Sequence, residues 1–322
     1  MNNRDVYILS PDHFVERHIC PSCGSSEQST LSDQTIYRFG EDFPRVRISL
    51  GGGMETARKL LECGGCGLWY FSHIPKRNIL FEILDEPAPL ERWSQSDRPT
   101  FQRARAVLKS SFPQGGRILD IGAHTGGFLK TLGDEWQKSA VEPMLASTEI
   151  PEDMVIYNAF LEDLELPASC FDCITAFDVF EHFENPGMVM GKIRRALKPG
   201  GMVLIETGNN SSFFANLLRA GWYYLSYLEH FQVFSQESFE RLFRCNSLHL
   251  FSARKIVRDN RRMGAFTRAA LISSVYVLLT IGRQPRLWRY MSNWLRRGHN
   301  ATPPITTLLE PDHLFIAAQK LQ

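Results

Sequence analysis

Hydrophobic positions change period several times along this chain. Ile118, Leu119 and Ile121 make a short apolar run that reads as a buried strand, and Gly122 to Gly127 read as a glycine-rich turn. Phe128, Leu129 and Leu132 follow at helical spacing. Ser139-Ala-Val-Glu142, Val155-Ile-Tyr157 and Cys170 to Asp178 read as three more strands. Past them, Met188, Val189, Ile193, Ala196 and Leu197 recur on one helical face, with Asn185-Pro186 as the start signal and Lys198-Pro-Gly-Gly201 as the stop. Met202 to Glu206 is a fifth strand, and Ser235 caps a helix carrying Phe239, Leu242 and Phe243. Leu248 to Val257 and Asp312 to Lys320 read as the sixth and seventh strands. Upstream, Phe101, Ala104, Val107, Leu108 and Phe112 form an amphipathic helix leading into the first. Strands alternating with helices predict an α/β fold on a doubly wound parallel sheet, with ligands above the strands' carboxyl ends.

The N-terminal quarter has a different signature. Cys20-Pro-Ser-Cys23-Gly and Cys63-Gly-Gly-Cys66-Gly are two knuckles of the form C-x-x-C-G. Each pair can point at one ion, and the trailing glycine permits the turn beneath the sulfurs. Four thiolates complete a closed tetrahedral site, which suits structural Zn2+. Residues 1–75 therefore read as a zinc-ribbon-like module, with Ile36–Phe39 and Arg45–Ile48 expected to pair as a hairpin joining the knuckles. Cys170, Cys173 and Cys245 have no partner knuckle and are taken as ordinary thiols. Residues 76–116 read as a linker, with a short helix near Ile79–Leu84, and the leading helix. Reduced cysteines and no basic-then-apolar leader point to the cytoplasm.

The candidate chemistry gathers around the first strand. Asp120 stands at its end, glycines follow, and Glu142 ends the next strand about twenty residues on, where an acid can accept both hydroxyls of a ribose. Taken with Phe171-Asp172, Asp178-Val-Phe-Glu-His182 and Leu197-Lys-Pro-Gly-Gly201, the run from Ile118 to Glu206 resembles the class I S-adenosylmethionine-dependent methyltransferases. The resemblance implies a Rossmann-like seven-stranded sheet. It also implies that Asp120, Gly122, Ala123 and Gly126 hold the methionine and ribose side of the cofactor. Glu142 would take the ribose hydroxyls, Phe160 and Leu161 would flank adenine, and Asp178 would close the pocket. Two positions depart from the family pattern. His124 replaces the middle glycine of the turn, and Phe160 stands where relatives often place an acid.

Further on, Glu229-His230-Phe-Gln-Val-Phe-Ser235 resembles the acceptor-side segment of zinc-bearing sugar methyltransferases. That likeness makes His230 the first candidate for a catalytic base, with His182 next and Glu229 beside it. The formal net charge is +1, but Arg254 to Arg297 holds ten Arg and one Lys against the single acid Asp259, so a mildly acidic body carries a basic region. This region falls in an insertion, residues 258–311, between the sixth strand and the last (312–322). Its expected helices span 269–297. A helical cap, a grip on a phosphate-bearing substrate and a peripheral contact with the membrane's inner face all fit it. The expected function is methyl transfer to a small or carrier-bound acceptor, foremost a sugar in glycan or natural-product biosynthesis. RNA methylation is disfavoured by the acidic body and by Asp178-Val-Phe-Glu, which stands where an amine-methylating Asn/Asp-Pro-Pro-Tyr/Phe would be. A degenerate cofactor fold serving as a binding subunit is the remaining alternative.

Overall fold

A computed structural model describes residues 6–33, 47–53, 57–84, 98–143, 154–257 and 311–321. The N-terminal part contributes β1 (Val6–Leu9), β2 (Phe14–Glu16), β3 (Gln28–Ser32), β4 (Arg47–Leu50), β5 (Leu60–Cys63), β6 (Trp69–Phe71) and β7 (His73–Pro75). Helices α1 (Arg77–Leu84) and α2 (Pro99–Ser111) follow. Residues 36–39 and 45–46 of the expected hairpin lie outside the described residues, and its remaining part falls in β4, Arg47–Leu50. It pairs in parallel with β1, an edge of matching length, over Val6–Leu9.

The central sheet is built from β8 (Gly116–Ile121), β9 (Trp136–Val141), β10 (Val155–Tyr157), β11 (Phe171–Phe177) and β12 (Leu197–Gly208). It also contains β14 (Leu248–Ile256) and β15 (His313–Lys320), in the order β10-β9-β8-β11-β12-β15-β14. All run parallel except β15, which is antiparallel to both neighbours. The strand order reverses between β8 and β11, the point where open α/β sheets bind their ligands. Helix α3 (Pro186–Ala196) starts where Asn185 Oδ1 accepts from the Met188 N–H at 2.9 Å, and Pro186 occupies its first turn. After the short α4 (Phe213–Leu218), α5 (Gln236–Cys245) is capped by reciprocal bonds between Ser235 and Ser238. Val189, Ile193, Phe239 and Leu242 bury one face of the sheet, while Phe101, Ala104 and Leu108 of α2 bury the other.

Two features depart from the sequence reading. After the glycine turn the chain forms a single 3-10 turn, Leu129–Thr131, instead of the helix that Phe128, Leu129 and Leu132 suggest. β9 begins at Trp136, which leaves no room for more turns. Phe128 still packs, with its ring centroid 5.3 Å from that of Phe101 and 5.2 Å from that of Phe177. The second feature is β13 (Gln232–Val233), which joins the N-terminal sheet in the order β13-β6-β5-β3. A segment from beyond the fifth strand of the central sheet thus completes the sheet that carries Cys63. The basic insertion, residues 258–310, lies outside the described residues. No helix among the described residues is long and apolar enough to cross a membrane.

Candidate functional site

A cavity of about 190 Å³ opens above the carboxyl ends of β8, β9 and β11. Gly122, the first residue after β8, lines it at φ +70°, and a Cβ there would meet Val179 Cγ2 at 2.8 Å. His124 takes φ 51°, in the left-handed region where histidine is enriched. Its backbone N–H donates to Glu142 Oε2 at 2.9 Å. The histidine in place of the middle glycine therefore keeps the turn and ties it to the acid on the next strand. Glu142 and Pro143 form the adjoining wall.

Phe160 and Leu161 also line the cavity. Arg77 of α1 lays its guanidinium 4.5 Å from the Phe160 ring centroid, and it bonds Asp163 Oδ2 at 2.5 Å and Glu184 Oε1 at 3.1 Å. Asp163 is thereby held by Arg77. Sequence reasoning missed Glu162, which lines the cavity beside Phe160. One oxygen, Oε1, accepts from the Glu184 N–H at 3.2 Å, while the other, Oε2, is shielded from solvent and meets no donor among the described residues. Burial pushes this carboxyl's pKa up. An acid two residues past Phe160 was the available signal. A buried acceptor of this kind, in a cavity shared with an aromatic ring and a strand-end acid, fits the exocyclic amine of adenine.

The other expected cofactor residues support the cavity from outside its lining. Asp120 is buried and accepts from Thr175 Oγ1 at 2.6 Å, and burial pushes its pKa up to about 7. Ala123 donates its N–H to the Val141 carbonyl, and Gly126 turns the chain at φ 71°. Asp178, at φ 54°, bonds Arg98 Nη2 at 2.5 Å.

His182 and Glu229 also line the cavity. His230 stands behind it, 8% exposed, with its ring 5.0 Å from that of His182 and Nδ1 2.6 Å from the Tyr224 carbonyl. The buried Tyr224 hydroxyl donates to Glu181 and accepts from the Gly208 N–H at 2.8 Å. The N-terminal part holds this loop in place. The Phe71 N–H donates to the Phe231 carbonyl at 3.0 Å, and Arg17 bonds Gln232 Oε1 at 3.0 Å. Gln232 Nε2 in turn donates to the carbonyls of Phe180 and Phe183.

The four cysteines of the two knuckles converge, with their sulfurs all within 4.8 Å of one another. Cys20 Sγ lies 3.7 Å from Cys66 Sγ, and Cys23 Sγ lies 3.5 Å from Cys63 Sγ. Four thiolates around zinc at about 2.3 Å would stand about 3.8 Å apart, so the set is already near that size. Gly24 and Gly67, the trailing glycines, adopt φ 75° and 72°. A hydrogen bond with Cys66 is the main cause that lowers the Cys20 pKa to about 5.

Residues 94–253 match the family described as a methyltransferase domain. This part of the chain is a class I S-adenosylmethionine-dependent methyltransferase domain. Among known proteins, the methyltransferase domain is similar to a ubiquinone/menaquinone biosynthesis C-methyltransferase of Teredinibacter turnerae. The identity is 28% over 105 residues, covering 28% of this chain and 42% of the relative. The Burkholderia mallei counterpart is 26% identical over 115 residues, covering 32% and 47%. The chain thus spans less than half the length of the curated relatives it matches. Among solved structures, a phosphoethanolamine N-methyltransferase 2 of Haemonchus contortus in complex with S-adenosyl-L-methionine shares 18% identity and gives a TM-score of 0.47. That likeness covers 79% of this chain and 63% of the other. A Haloferax volcanii complex between the Trm112 methyltransferase activator and a methyltransferase gives 0.48 at 12% identity, over 74% and 100%.

Proposed function

We propose that the protein transfers a methyl group from S-adenosylmethionine to a small or carrier-bound acceptor, a sugar foremost. The observation that carries this reading is the make-up of one cavity. Its lining brings Glu142, Phe160 and Glu162 together with His182 and Glu229. Glu142 would take the ribose hydroxyls, Phe160 and Leu161 the faces of adenine, and Glu162 Oε2 its amine. Asp120 and the turn from Gly122 to Gly126 would position the methionine end. The cofactor supplies an electrophilic methyl on a sulfonium, and the protein's task is alignment and proton removal. His182 and Glu229 reach the cavity, so they serve the acceptor directly, with His230 behind them orienting the loop. The intact turn at His124 supports an active enzyme over a degenerate binding subunit. The four cysteines would hold one structural Zn2+ that keeps β5 and β6, and through them the acceptor loop, in register.

The test offers the full chain, with methyl-labelled cofactor, a mixture of nucleotide sugars and, separately, total RNA. Label is expected in the small-molecule fraction, and label confined to RNA would overturn the acceptor assignment.

A further inference from the structure

Around His182, where it lines the cavity, stands a set of metal-ligating groups that methyl transfer alone does not explain. One atom each from Glu181, His182 and His230 falls within 4.8 Å of the others. His182 Nε2 lies 3.8 Å from Glu181 Oε1. The Glu181 carboxylate is 1% exposed. Its oxygens receive the hydroxyls of Thr207, at 2.7 Å, and Tyr224. Among the described residues no Lys or Arg lies within ion-pair distance of it. Hydroxyl donors to a buried carboxylate are the kind of outer hydrogen bond that holds a metal-ligating acid in place.

The imidazole of His230 is prepared in the same sense. Nδ1 sits 2.6 Å from the Tyr224 carbonyl, which can only accept. Nδ1 therefore carries a proton, and the neutral ring's lone pair is on Nε2. Tyr224 and Tyr227 pack against this ring at 4.3 Å and 5.0 Å. Two of the three groups thus already have the outer hydrogen bonds that orient metal ligands. The His182 side chain is 32% exposed and lines the cavity, so the set is open on that side.

We propose that Glu181, His182 and His230 bind a divalent transition-metal cation of the zinc class, with an open coordination position facing the cavity. Two imidazoles and one carboxylate suit zinc, cobalt or ferrous iron, and a fourth position left open is the mark of a catalytic rather than a structural site. Bonds of about 2.1 Å in a tetrahedron put ligand atoms about 3.4 Å apart. Closing the set therefore takes about 1 Å of side-chain movement, which the half-exposed His182 ring can supply. An acceptor oxygen would occupy the open position and be polarised there. His182 and His230 would then be ligands, leaving Glu229 as the one of the three expected acceptor-side residues free to take a proton. The site shares the acceptor cavity with the proposed methyl transfer but does not depend on cofactor binding.

The test titrates Co2+ into the full chain with its cysteine site filled by Zn2+, followed by visible absorption. One further equivalent is expected, with d–d absorption of cobalt in nitrogen and oxygen ligands and no thiolate charge-transfer band. His182→Ala and Glu181→Gln should each weaken it about tenfold or more. His182→Ala, at a half-exposed ring, keeps the test sound where Glu181→Gln disturbs folding. No new absorption, absorption only with a thiolate charge-transfer band, or an unchanged titration in His182→Ala would each overturn the proposal.

Discussion

Asp120→Asn isolates the cost of burying an acid at the root of the site. Asp120 is 4% exposed, it receives one hydroxyl from Thr175, and burial raises its pKa from 3.8 to about 7. A carboxyl whose folded pKa is raised favours the folded state while protonated. Its penalty therefore grows as pH rises from 3.8 towards 7 and is then constant. At about 1.36 kcal/mol per unit, the full penalty is slightly over about 4 kcal/mol, of which about 0.5 is present at pH 4 and about 2 at pH 5. Asparagine keeps an acceptor for Thr175 and carries no charge. Urea denaturation of both proteins from pH 4 to pH 8 should show the variant gaining about 3–4 kcal/mol on the native chain across that range. A stability difference that stays flat with pH would refute the argument, because the buried charge would then cost nothing.

Other perturbations follow from single contacts. Glu142→Ala removes the acid placed for the ribose, and losing one hydrogen bond to a charged acceptor costs about 1.5–3 kcal/mol. Affinity for S-adenosylhomocysteine should therefore fall at least tenfold by calorimetry, and a change under twofold would contradict the assignment. Gly122→Ala places a side chain at φ +70° and 2.8 Å from Val179 Cγ2, so thermal unfolding should show a loss of about 1–2 kcal/mol or more. Tyr224→Phe takes the hydroxyl from both Glu181 and the Gly208 N–H, leaving buried groups unmet, and should cost about 1–3 kcal/mol in denaturant. Cys63→Ser opens the cysteine cluster at the end of β5, and β13 is joined to that sheet through β6. Amide hydrogen exchange should therefore accelerate at Gln232 and Val233 as well as in the knuckles; unchanged protection there would uncouple the two.

Most of the sheet was legible because parallel strands buried on both faces are short continuous apolar runs. Ile118–Ile121, Ile174–Phe177 and Met202–Ile205 show that signal, and all three pair as central strands. Capping residues placed α3 and α5 well, since Asn185 and Ser235 act through their own local backbone. Phe128, Leu129 and Leu132 misled because burial at helical spacing also suits a single tight turn when the next strand starts four residues on. Gln232–Val233 was not visible as a strand, because its pairing with Trp69–Tyr70 spans more than 160 residues and leaves no local pattern. Glu142 was readable from its strand-end position. Glu162 was not, since an acid after Phe160 acquires meaning only when its oxygen proves buried. His230 drew notice by motif, yet which ring nitrogen carries its proton depends on the Tyr224 carbonyl, a contact only the fold creates.

Calorimetric titration of the purified, zinc-loaded full chain with S-adenosylmethionine tests the central claim most directly. The cavity built from Gly122, Glu142, Phe160 and Glu162 predicts saturable binding of one molecule per chain that Glu142→Ala weakens. No binding heat from the folded protein at several temperatures, confirmed by equilibrium dialysis with labelled cofactor, would contradict it.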